Sequence, residues 1–140
     1  MANRDDTKIN GCPKDLAARL GGLPYYPDPK AFDPGSFYFP GDALELCRLL
    51  ITDRVNTTLE KLDCFWLLGQ LASLLSKLTK TYYAIYVVKN YDKSFYLILE
   101  DKKHNIIHCE RHPYTNIISN VKLVLSYKRK SWLLSMPSEK

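Results

Sequence analysis

TYYAIYVVK (81–89), SFYLILE (94–100), NIIHCE (105–110) and NVKLVLSY (120–127) are four apolar-rich stretches separated by short polar turns. Each alternates with period two, as a strand does. Tyr83, Ile85 and Val87 oppose Tyr82, Tyr86 and Val88. Phe95, Leu97 and Leu99 oppose Tyr96 and Ile98, and Ile107 and Cys109 oppose Ile106 and His108. Val121, Leu123 and Leu125 oppose Lys122, Val124 and Ser126. Asn90 to Lys93 and Asp101 to His104 are turns by composition. Lys128-Arg129-Lys130 turns the chain into a last short strand, 131–134. Connections this short favour antiparallel neighbours, so the pattern predicts a β-meander.

Working back towards the amino end, residues 58–78 read as a helix. Thr57 and Glu60 have capping-box spacing, and Leu62, Phe65, Trp66, Leu68, Leu71, Leu74, Leu75 and Leu78 wrap its circumference. A helix apolar on nearly all sides is central or binds a partner. Asp42 and Glu45 mark another capping box, predicting a helix over 42–51 with Leu46, Cys47, Leu49, Leu50 and Ile51 as its stripe. LPYYPDPKAFDPGSFYFPG (23–41) carries five of the eight prolines and six aromatics, which forbids a regular helix or central strand. It reads as a loop strapped over the core, and its Tyr25, Tyr26, Phe37 and Tyr38 are the candidate partner-binding residues. Pro24-x-x-Pro27 within it has the spacing of polyproline ligands. Before it comes a short helix with Leu16, Ala17 and Leu20 on one side, stopped by Gly21 and Gly22, and before that a polar, flexible arm, 1–11. The expected whole is one α+β domain over residues 1–140. Its N-terminal helices pack on one face of a C-terminal four- to five-stranded antiparallel β-meander.

A chain of 140 residues, 46% apolar, has the makings of a folded core. No apolar run reaches the roughly 18 residues of a membrane span. The polar opening and the four scattered cysteines suit a reducing compartment, so the expectation is an intracellular protein, cytoplasmic or nuclear. Composition alone would suit a small accessory protein, a viral one included.

The formal charge is +5, of which the last twenty residues carry +4, so the positive charge is local. Lys128, Arg129 and Lys130 stand between Tyr127 and Trp132, with Lys102 and Lys103 in another turn. Cations beside aromatics are the footprint of single-stranded nucleic acid or another anionic surface, and Tyr82, Tyr86 and Tyr96 would add a stacking face. All three histidines fall near one cysteine, so His104, His108, Cys109 and His112 are a candidate zinc set. Strand alternation works against it, because Cys109 points away from His104 and His108. No phosphate loop, serine elbow or paired-carboxylate motif is present, and no cofactor motif. The leading expectation is a non-enzymatic interaction module for a protein partner or a second copy of itself. Nucleic-acid binding at the basic turn is the rival reading, and a zinc protein the weaker third.

Overall fold

The computed structural model describes residues 8–9, 12–26, 37–38, 48–113, 117 and 119–137. In chain order, β1 (Lys8–Ile9) pairs antiparallel with β2 (Cys12–Pro13), so residues 8–9 of the expected arm are in a strand. α1 (Lys14–Arg19) follows and ends in a 3-10 turn, Leu20–Gly22. Then come β3 (Phe37–Tyr38), β4 (Leu49–Thr52), α2 (Asp53–Leu62) and α3 (Trp66–Leu75). The strands β5 (Tyr82–Lys89), β6 (Phe95–Asp101), β7 (Ile106–His112), β8 (Val121–Lys128) and β9 (Ser131–Ser135) complete the α+β fold. By its internal contacts the chain divides into two compact units, residues 1–26 with 83–122 and residues 27–82 with 123–140.

In the first unit β6 lies antiparallel between β5 and β7, with Ile85 opposite Leu99 and Ile98 opposite Cys109. The tight turns at 90–94 and 101–105 enforce that order. Lys93 and His104 take the left-handed conformation there, and the Asp101 carboxylate accepts the Lys103 and Asn105 amides at 2.9 Å. Leu16 and Leu20 of the α1 segment pack on Ala84, Tyr86, Val88, Ile98 and Ile106. Full burial of a leucine stabilises by about 1.5–3 kcal/mol, so this contact anchors the segment. All six residues from Tyr83 to Val88 are buried. The sequence reading covered only one face of the strands; in β5 neither face is left to water.

The second unit departs further from expectation. Leu49, Leu50 and Ile51, assigned by sequence to a helix over 42–51, form strand β4. β4 pairs antiparallel with β3 and parallel with β9, which pairs antiparallel with β8. The strands of this unit are therefore mixed, not wholly antiparallel. A short apolar run suits a doubly flanked strand as well as a helix, and with neighbours on both sides Leu49 and Ile51 lose all exposure. The capping pair Asp42 and Glu45 lies outside the described residues.

The helix predicted over 58–78 is two helices, and Thr57 and Glu60 sit inside the first. The actual N-cap is Thr52, whose Oγ1 accepts the Val55 amide at 3.2 Å. Asp63 ends α2 in the left-handed conformation, with φ 53°. Its amide donates to the Glu60 carbonyl, and the next amide, Cys64, donates to Leu59 at 3.0 Å. These are the two bonds of a Schellman stop, made with aspartate where glycine is usual. Val55, Leu59, Leu62, Leu67, Leu71, Leu74 and Leu75 carry the buried stripes of the two helices. Thr58, also buried, donates to the Met136 sulfur at 3.6 Å.

Thr52→Ala should lower stability by about 1 kcal/mol, the usual loss at an N-cap, while Thr52→Ser keeps most of it. The urea midpoints of the two variants against the parent check this.

Candidate functional site

Strand pairing assembles a small cleft in the second unit. The parallel register sets Leu49 opposite Trp132, and the Trp132 amide donates to the Arg48 carbonyl at 2.7 Å. Arg48 is thereby held at the β8–β9 turn, where its Nε donates to the Lys130 carbonyl at 3.1 Å. Lys80 arrives from the link between α3 and β5. The Tyr127 amide donates to the Thr81 carbonyl at 3.0 Å, and the Lys80 ammonium lies 5.1 Å from the centre of the Tyr127 ring. The result is a cleft of about 220 Å³, lined by Arg48, Lys80 and Lys130 with Tyr127, Trp132 and the carboxyl end of α3. Among the described residues no carboxylate lines it.

The backbone beneath these cations is unusual. Arg129 and Lys130 have φ of 53° and 66°, the two left-handed positions of a type I′ hairpin turn, where Asn-Gly is the favoured pair. Arg48, at φ 60°, is left-handed too. Such conformations cost a residue with a Cβ of order 1 kcal/mol or more, and they gather at functional sites.

The aromatic rings are walls rather than stacking platforms. Trp132 is 3% exposed, and its ring meets Tyr127 edge-on at 5.1 Å. One face of Tyr127 is under Lys80. The carboxyl end of α3 adds about half a negative charge, against three positive side chains.

Of the residues singled out by sequence, Lys130 and Trp132 line this cleft, while Lys128 and Arg129 are exposed beside it. Lys102 and Lys103 belong to the first unit's β6–β7 turn and are not among the lining residues. Arg48 and Lys80 were missed. Arg48 stood in an expected helix, and Lys80 in an unremarkable link. Of the expected tyrosine face, Tyr82 and Tyr96 are half-buried and Tyr96 packs against the α1 cluster. Tyr86 is buried under the α1 segment, with its hydroxyl on Glu100 at 2.9 Å and the Tyr25 ring 5.7 Å away.

Among the loop aromatics, Tyr25 is engaged internally, donating to the Leu20 carbonyl. Burial, then the nearby Glu100 charge, push its hydroxyl up to about 12. Tyr26 is half-buried and its amide donates to the Asn120 carbonyl at 2.8 Å. Phe37 and Tyr38 form β3, and their side chains, like Pro27, lie outside the described residues.

The histidines separate. His104 occupies the left-handed position of its turn, 3.7 Å from Glu100. His108 and His112 share a face of β7 and converge on Glu110, at 2.6 and 2.7 Å. Cys109 points the other way and packs against the core under α1. Among the described residues no cluster of three or more His, Cys, Asp or Glu is placed to hold a metal ion. Burial tends to raise the Glu110 carboxyl, but the hydrogen bonds and charges of the two imidazoles outweigh it and hold the group below its ordinary value. Cys64 is fully buried between α2 and α3, and burial, then Asp63, push its thiol up to about 12.

No helix among the described residues is long and apolar enough to cross a membrane. Fold and site together define an α+β protein with a cationic cleft. Residues 43–140 match the model of DUF6876, a family of unknown function, and the chain belongs to that family. The matched stretch contains Arg48, Lys80 and Lys130 and leaves out α1. No curated protein and no solved structure matches the chain.

Because the folded Glu110 carboxyl titrates below its ordinary value of 4.5, its contribution to stability is present above that pH and is lost as pH falls through the lowered value. Glu110→Gln should therefore be less stable than the parent near neutrality, with the gap closing below about pH 4.5. Urea unfolding of both proteins across that range measures the gap.

Proposed function

We propose that the protein is a non-enzymatic interaction module that grips a nucleic-acid strand by its phosphates in the Arg48–Lys80–Lys130 cleft. The observation that carries this reading is the convergence of three cations from separate chain segments on one cleft, with no carboxylate among the described residues that line it. The left-handed backbone at Arg48 and Lys130 supports it, since glycine or asparagine would hold those bends at lower cost. Phosphate contacts position a strand without reading its bases. With Trp132 buried and Tyr127 under Lys80, the grip is sequence-tolerant and electrostatic. The non-enzymatic part of the reading draws on the described thiols and imidazoles, which are otherwise engaged. Cys64 is buried with a raised thiol, Cys109 packs against the core, and His108 and His112 are committed to Glu110. In this reading the protein acts inside the cell, in the cytoplasm or nucleus.

Binding of a labelled single-stranded oligonucleotide should weaken with salt, log K falling against log salt with a slope of about −2 for three phosphate contacts at about 0.7 each. Lys80→Ala should reduce that slope by about 0.7, and Arg48, Lys80 and Lys130 replaced together by alanine should abolish binding. Salt-insensitive binding, or a triple variant that binds like the parent, rejects the proposal.

A second pair separates fold from function. Arg129→Asn with Lys130→Gly should raise the melting temperature, by roughly 1 kcal/mol of stability, yet weaken binding. Calorimetry and anisotropy on the same sample read both effects.

A further inference from the structure

The first unit holds a larger concavity that the cationic cleft does not account for. It has a volume of about 580 Å³, and its lining includes Arg19, Leu23, Pro24, Lys89, Tyr91 and Asn120. From this groove we infer a docking site for an acidic segment of a partner protein that carries an apolar side chain beside its carboxylates. This does not depend on the phosphate reading, which concerns other residues in the other unit.

The groove is built in advance. Asn120 ties three of its walls together. Its Oδ1 accepts the Lys89 amide at 2.9 Å, its Nδ2 donates to the Pro24 carbonyl at 3.1 Å, and its own carbonyl accepts the Tyr26 amide at 2.8 Å. A pre-formed concavity of this size is what peptide side chains and small ligands occupy.

Tyr91 stands at its edge with a relative exposure of 109%, so the whole ring is in water. The turn that carries it is made by other groups. The Asn90 amide donates to the Ser94 carbonyl at 2.8 Å and its Nδ2 to the Ser94 hydroxyl at 2.9 Å, and the Asp92 carboxylate accepts the Ser94 amide at 3.0 Å. Folding therefore makes no use of the Tyr91 ring. Tyrosine is a frequent anchor of protein interfaces, being large, rigid and polar only at its tip. Leu23 and Pro24 offer an apolar floor for the partner's own apolar residue.

Charge sets the partner's sign. Lys89 and Arg19 both line the groove, and among the described residues no carboxylate does. Asp15 bridges Arg19 at 3.8 Å, but both side chains are more than half exposed, where such pairs contribute about 0–1 kcal/mol and yield to a better-placed acid. An acidic peptide meets complementary charge here and a basic one meets repulsion.

Eight-residue synthetic peptides of alternating Glu and Leu, of alternating Lys and Leu, and of Gly and Ser provide the test, with the full chain observed by amide NMR. The Glu/Leu peptide should shift the Asn90, Tyr91 and Asn120 resonances in the millimolar range or below, and the other two should not. Tyr91→Ala, which leaves the melting temperature unchanged, should weaken that binding at least tenfold, and Lys89→Glu should abolish it. Three results would overturn the assignment: no shift with the Glu/Leu peptide, equal shifts with the Lys/Leu peptide, or Glu/Leu binding unaltered in both variants. A single-stranded oligonucleotide shifting the same three resonances would overturn it too, because the groove would then be a second phosphate surface.

Discussion

Leu49 lies beside Trp132 in a parallel pair, and the arrangement of the second unit follows from that register. It places β4 between β3 and β9, so that Leu49 and Ile51 are buried and Arg48 stands one residue before the paired segment. The Arg48 carbonyl and side chain then reach the β8–β9 turn from opposite hydrogen-bonding roles, accepting from Trp132 and donating to Lys130. Without this pair, Lys130 and Lys80 would be ordinary surface cations. With it, they face a third positive charge across a cleft.

Two kinds of local bend maintain these arrangements. At 93 and 104 single left-handed residues close hairpins whose shape is fixed by aspartate and asparagine side chains. At 129 and 130 two consecutive cations make the bend themselves. The first kind follows ordinary turn chemistry. The second departs from it, and departures of that sort mark places where side-chain identity answers to something other than folding.

The strands from 82 onward were legible as strands, because period-two alternation and short polar turns leave little room for another reading. In β7, however, the alternation slips where the register shifts at Leu99 and Glu100, so that Ile106 and not Ile107 joins Cys109 against the core. Tyr82–Lys89 begins one residue inside the 81–89 stretch and ends with it. The same alternation correctly set Cys109 opposite His108. What escaped was non-local. Leu49 to Ile51 is too short a run to declare its period, and its parallel partner is more than eighty positions away, so nothing nearby announced a strand. The break at Asp63 carries neither glycine nor proline, so the apolar pattern ran through it unbroken. Half of the cleft could be anticipated, since Lys130 and Trp132 sit in a conspicuous basic and aromatic stretch. Arg48 and Lys80 could not, because their place depends on pairings that local pattern does not encode.

The separation of Arg48 from Lys130, 82 positions along the chain, also has a bearing on synthesis. On the ribosome, β4 is made long before the strand that will lie beside it. Its outer backbone groups and the apolar flanks of α2 and α3 must wait for β9 to emerge, and closing so long a loop is slow. During that interval the nascent second unit presents an open edge next to leucine-rich helices, the kind of surface that holdase chaperones cover. The hairpins of the first unit, joined by adjacent turns, have no such delay.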